Sequence, residues 1–151
     1  MLGRAHLIGV CGSGMQSLAH YLLDLGCEIS GADASDTLPE CLVQRGMRFD
    51  RGDAADHLPA GVQQVIYSAA VPAANPQRMA AAARGVPQCS YAQMLGRLTS
   101  ETQSWAVAGT HGKSSVCGML AAGLRAAGKD ASHIFGATPG GDGPLRLRRG
   151  A

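Results

Sequence analysis

Apolar residues fall along this chain in two rhythms, and the rhythms alternate. Residues 5–10 (AHLIGV) form an apolar run that predicts a buried strand. Beyond it, Met15, Leu18, Ala19, Leu22 and Leu25 recur at helical spacing up to Gly26, which predicts a helix stopped by a glycine. The alternation then repeats as a strand over 28–33 (EISGAD), a helix over 38–45 ending at Gly46 and a strand over 64–69 (QVIYSA). A helix over 75–84 follows, with Asn75 placed to cap it and Gly85 to end it. A short strand at 86–89 and a helix over 91–98 complete the series. Strands that alternate with helices predict an α/β fold on a parallel, Rossmann-like sheet.

The polar stretch 99–104 (TSETQS) interrupts this pattern and marks a domain boundary, so a Rossmann-like domain is expected over residues 1–100. Past the boundary, residues 105–108 predict a strand running into GTHGKSS, 116–126 an apolar helix and 131–135 a further strand. Residues 105–136 therefore read as the incomplete start of a second, P-loop domain. The remaining 137–151 are rich in Gly, Pro and Arg, have no period and are expected to be an irregular tail.

Composition narrows the functional classes. Of 151 residues 46% are apolar, enough for a core, which excludes wholesale disorder. The net charge is +2, but up to Gly141 ten basic and ten acidic residues cancel, and the surplus lies in Arg146, Arg148 and Arg149. With no basic face and only 4% aromatic residues to stack bases, nucleic-acid binding is excluded. Five cysteines without a C-x-x-C pair fit reduced thiols better than a disulfide framework or a zinc site. Gly9, Gly12 and Gly14 break the apolar run after Arg4, and no 18-residue apolar span occurs. A soluble, cytoplasmic protein without membrane insertion is expected.

Two glycine loops carry the candidate chemistry. In the first, GVCGSGM, Gly12 and Gly14 let the backbone turn and approach a pyrophosphate, while the new helix aims N–H groups and its positive dipole end at the anion. Asp33 closes the next strand, where a carboxylate can accept a ribose hydroxyl, as in NAD-binding units. Ser17 stands where a dinucleotide fingerprint has its third glycine, which weakens that reading. A glycine-rich turn without a ligand is the alternative.

The second loop, GTHGKSS (109–115), lies between an apolar run and a helix, the setting of a phosphate-binding loop. Backbone N–H groups of Gly109, Thr110, His111 and Gly112 form an anion-binding concavity. Lys113 places a cation on the terminal phosphates, and the Ser114 hydroxyl can ligate Mg²⁺ beside Ser115. Val107 replaces the first glycine of the full P-loop pattern, and simple capping by Ser114 and Ser115 is the alternative.

Taken in order, HLIGVCGSGM, ISGAD, VIYSAAVPAANP, YAQMLGRL and VAGTHGKSS resemble the Mur ligases of peptidoglycan synthesis, over about residues 5–136. The nearest likeness is to the members that add the first amino acid. The resemblance implies that the first domain binds a UDP-sugar and the second binds ATP. Gly12, Ser13, Gly14, Met15 and Asp33 would then hold the UDP-sugar, with Ser68 and Ala69 beside it at a strand's carboxyl end. Met15 also belongs to the helix's core-facing stripe, and Ser68 can equally be a satisfied strand-end hydroxyl. The implied reaction joins L-alanine to UDP-N-acetylmuramate through an acyl phosphate, using ATP and Mg²⁺. Lys113 would offset phosphoryl charge and His111 would face the substrates, or simply bond to the backbone.

The family carries three domains, and the acidic residue and histidine that complete its metal site have no counterpart in these 151 residues. The chain is therefore expected to be an amino-terminal portion, inactive alone and poorly stable past Trp105. GKSS in place of the commoner GKTT keeps the hydroxyl. Competing expectations are the related ligase that recycles a tripeptide onto the same sugar, an NAD(H)-binding module and a non-catalytic UDP-sugar-binding protein.

Overall fold

The structure, a computed structural model, describes residues 3–129 and 131–134. The expected tail 137–151 lies outside the described residues. Five strands form one all-parallel sheet: β1 (Arg4–Ile8), β2 (Glu28–Asp33), β3 (Arg48–Arg51), β4 (Gln64–Tyr67) and β5 (Gln88–Ser90), in the order β3-β2-β1-β4-β5. Helices α1 (Ser13–Asp24), α2 (Glu40–Gln44), α3 (Pro76–Ala83) and α4 (Tyr91–Ser100) connect or follow these strands, and α5 (Lys113–Ala126) comes last. The α/β parallel sheet expected from the sequence is thus present.

Strand alternation sorts the sheet into two faces. Ala5, Leu7, Ile29, Ile66 and Cys89 pack with Met15, Leu18, Ala19 and Leu22 of α1, Leu42 of α2 and Met94 of α4. On the opposite face Ile8 and Val65 pack with Leu58 and with Ala81 of α3. His6, buried on that second face, bonds through its ring nitrogens to Ser30 Oγ and Gln77 Oε1, both at 2.8 Å. Parallel strands covered on both faces leave their polar groups no water, so such partners are obligatory.

Several elements differ from expectation for local reasons. β1 stops at Ile8 because Gly9 turns the chain at φ 80°, a left-handed conformation that glycine adopts without a Cβ clash. α2 starts only at Glu40, with Pro39 in extended conformation as its N-cap. Asn75 caps α3 as expected, its Oδ1 accepting from the N–H groups of Gln77 (3.0 Å) and Arg78 (3.2 Å). β3 and a 3-10 turn at Ala55–His57 were not legible in the hydrophobic pattern.

The strand expected at 105–108 does not form, and 131–134 of the strand expected at 131–135 is irregular; Phe135 lies outside the described residues. A strand needs a neighbour to accept and donate its backbone hydrogen bonds. Apolar composition at 105–108 cannot replace that neighbour.

Candidate functional site

The sheet's strand order reverses between β1 and β4, where one crossover leaves toward β2 and the other toward β5. Open α/β sheets bind ligands at the carboxyl ends of the strands flanking such a reversal. The first glycine loop follows β1 and Ser68 follows β4, so the topology brings these two sequence-predicted groups together. Their backbones are in contact: the Ser68 N–H donates to Ile8 O at 3.0 Å, and a Cβ on Gly9 would stand 2.9 Å from Ser68 Cβ.

Within the loop the work is divided differently from the sequence expectation. The tight turn lies at Gly9, whose N–H donates to Ala32 O at 2.8 Å. Gly12 instead sits at the N-cap of α1 with φ −66°, and no side chain caps the helix. The first intrahelical bond runs from the Gln16 N–H to Gly12 O at 2.9 Å, so the N–H groups of Gly14 and Met15 lie in the uncapped first turn. No acidic residue stands in that turn itself. Gly12 and Ser13 are exposed and Gly14 is half-buried. The Met15 side chain is in the core at 3% exposure, so only its backbone can face a ligand.

Asp33 sits beside the loop, and its carboxylate is engaged by backbone. Oδ2 accepts from the Cys11 N–H at 2.8 Å and Oδ1 from the Ser35 N–H at 3.0 Å. The carboxylate therefore ties the turn after β2 to the turn after β1, a positioning contact the sequence could not reveal. Gln16 closes the loop from the other side, its Nε2 donating to Cys11 O at 2.7 Å. Burial, and secondarily the Asp33 charge, push the Cys11 thiol up to about 11, so it is a protonated packing group at neutral pH. Ser68 is half-buried, its Oγ accepting from the Ala70 N–H at 3.4 Å, and Ala69 is exposed.

The second loop is built by Gly112, the N-cap of α5, which holds φ 74°. No side chain caps α5, so Ser114 and Ser115 do not serve as its N-cap. The Lys113 ammonium folds back on its own loop, donating to Gly109 O at 2.6 Å and Thr110 O at 3.2 Å. Those carbonyls hold the cation over the loop. His111 and Ser115 are exposed and Ser114 is half-buried. Among the described residues no group of three or more His, Cys, Asp or Glu is placed to hold a metal ion. No helix among them is long and apolar enough to cross a membrane.

Comparison with known proteins agrees with this architecture. The family profile described as Mur ligase family, catalytic domain, matches residues 4–103. The UDP-N-acetylmuramate–L-alanine ligase of Laribacter hongkongensis is 40% identical over 132 residues, covering 87% of this chain and 28% of that protein. Among solved structures, a murein peptide ligase from Psychrobacter arcticus superposes with a TM-score of 0.83 at 30% identity, over 93% of this chain and 30% of its own. The UDP-N-acetylmuramate-alanine ligase of Thermotoga maritima gives a TM-score of 0.79 at 25% identity, over 88% of this chain and 31% of its own. The chain thus spans about three tenths of the length of the relatives it matches. With that profile, those relatives and the same sheet beneath the glycine loop, the chain belongs to the Mur ligase family.

Proposed function

We propose that this chain contributes the UDP-sugar-binding domain, over residues 1–100, and the first ATP-binding loop, within 105–136, of a cytoplasmic ligase in peptidoglycan precursor synthesis. The observation that carries the reading is the meeting of Ser68 with Ile8 and Gly9 at the sheet's reversal point, where the first glycine loop leads into the uncapped start of α1. An uncapped helix start with no acidic side chain in its first turn suits a diphosphate. The 40% identity to an L-alanine ligase supports UDP-N-acetylmuramate as the nucleotide sugar and L-alanine as the amine.

In the proposed reaction the muramoyl carboxylate attacks the γ-phosphate of ATP, releasing ADP and leaving an acyl phosphate. The amine of alanine then displaces phosphate and forms the amide. Lys113, held over its loop by Gly109 O and Thr110 O, offsets charge on the phosphoryl oxygens, and exposed His111 faces the reacting groups. Mg²⁺ would neutralise phosphate charge. The half-buried Ser114 hydroxyl fits it as a single oxygen ligand, since this ion keeps phosphate and water oxygens for most of its shell.

A second reading, ligation of a peptide to the same UDP-sugar, is favoured by the likeness to the murein peptide ligase at 30% identity. Both readings share the first domain and differ only in the amine. Calorimetric titration of the 151-residue chain tests that domain. Saturable binding of UDP-N-acetylmuramate with no response to NADH is expected. Binding of NADH alone would return the first loop to dinucleotide chemistry.

A further inference from the structure

A contact between the first glycine loop and a distant tyrosine adds a residue to this site. α4 begins directly after β5, and its start is pinned by a reciprocal cap: Ser90 Oγ accepts from the Gln93 N–H at 3.2 Å, and Gln93 Oε1 accepts from the Ser90 N–H at 2.8 Å. The cap makes Tyr91 the first residue of the helix. Met94, one turn further on, is buried in the same cluster as Met15 and Leu18 of α1. With α4 anchored at both points, the Tyr91 ring reaches over the end of β4 to α1.

There it lies against the bare Cα of Gly14. A Cβ built on Gly14 would stand 3.0 Å from both Cζ and Oη of Tyr91. The hydroxyl end of the ring, rather than its edge near Cβ, is therefore what meets the uncapped first turn of α1. Gly14 explains itself by this contact, because its φ is not among the left-handed ones and no turn requires it. Tyr91 is half-buried, and burial pushes its phenol up, so at neutral pH the hydroxyl carries a proton to donate.

We infer that Tyr91 is a ligand-binding residue of the first glycine loop, its hydroxyl donating to the diphosphate of the nucleoside-diphosphate sugar alongside the N–H groups of Gly14 and Met15. The inference rests on the UDP-sugar reading above. A donor fixed on α4 complements helix N–H groups because it approaches the same phosphates from the neighbouring element, at an angle the helix itself cannot supply. It also fits a ligand longer than a single phosphate, since the two donor sets come from separate helices.

The test is Tyr91→Phe in the 151-residue chain, which keeps the ring against Gly14 and removes only the hydroxyl. Calorimetry with UDP-N-acetylmuramate, UDP and uridine is read beside thermal unfolding. The expected result is an unchanged unfolding temperature and about tenfold weaker binding of both diphosphates, the loss for one hydrogen bond to a charged group. Uridine, lacking phosphate, should bind both proteins equally. Equal affinity of wild type and Tyr91→Phe for the diphosphates overturns the inference and leaves the UDP-sugar reading standing. An equal loss for uridine also overturns it, by placing Tyr91 at the nucleoside. Failure of the wild type to bind any of the three overturns both.

Discussion

The two glycine loops start from the same local pattern, an apolar stretch, a glycine turn and a helix, yet their helices end in opposite surroundings. α1 buries Met15, Leu18, Ala19 and Leu22, whereas α5 buries none of its residues. Met119 on α5 is 66% exposed, and with Trp105, Val116, Leu120 and Leu124 it lines an open apolar groove. The strand before each loop accounts for the difference. β1 is paired on both sides, by β2 and β4, and so offers α1 a finished surface. Residues 105–108 form no strand and offer α5 none. A glycine loop is a local conformation, but burial of the helix behind it depends on residues elsewhere in the chain.

This contrast can be broken by a pair of truncations. Leu18→Ala, at a fully buried position, is expected to lower the unfolding free energy by about 2–5 kcal/mol in urea titration. Met119→Ala should change it by no more than about 0.5 kcal/mol, as for an exposed side chain. Similar losses in both would mean that α5 is packed in solution as α1 is.

A smaller effect concerns how the packed domain is assembled. Asn75→Ala removes the acceptor for the N–H groups of Gln77 and Arg78 and should cost about 1 kcal/mol. An unaltered urea midpoint would show that α3 is held by its buried face alone.

The mildest prediction uses pH. Burial holds His6 below the ordinary histidine value, and burial followed by the Arg45 charge does the same to His20. Both rings bind protons more readily in the unfolded chain. Stability is therefore fully present above the unfolded value of about 6.5 and falls as pH drops through it. The urea midpoint should decline between about pH 7.5 and about pH 5.5, and decline less in His6→Gln. An undiminished decline in that variant would assign the effect to other groups.

Legibility in the sequence followed locality. β1, its glycine loop and α1 could be read because the apolar run, the glycines and the helical spacing sit side by side. The cap at Asn75 was legible for the same reason, with Pro76 at the first helical position behind it. β3 was not, because RFDR is a short, polar edge strand that only its pairing with β2 identifies. Residues 105–108 erred the other way: an apolar run reads as a strand whether or not a partner exists. Asp33 was legible as a carboxylate near the loop, while its bonds to Cys11 and Ser35 required both turns to be in place.

By itself, the sequence determined the alternation of strands and helices, the two glycine loops and the likeness to the Mur ligases, since each depends on residues within a few positions of one another or on their order. Tertiary structure alone decided the strand order, the meeting of Ser68 with Gly9 at the reversal point, and the seat of Tyr91 on Gly14. Backbone propensity acts over one turn or one strand and sets element type. Contacts between distant segments arise only when the whole sheet excludes water from both faces, and that is where this site acquires its shape.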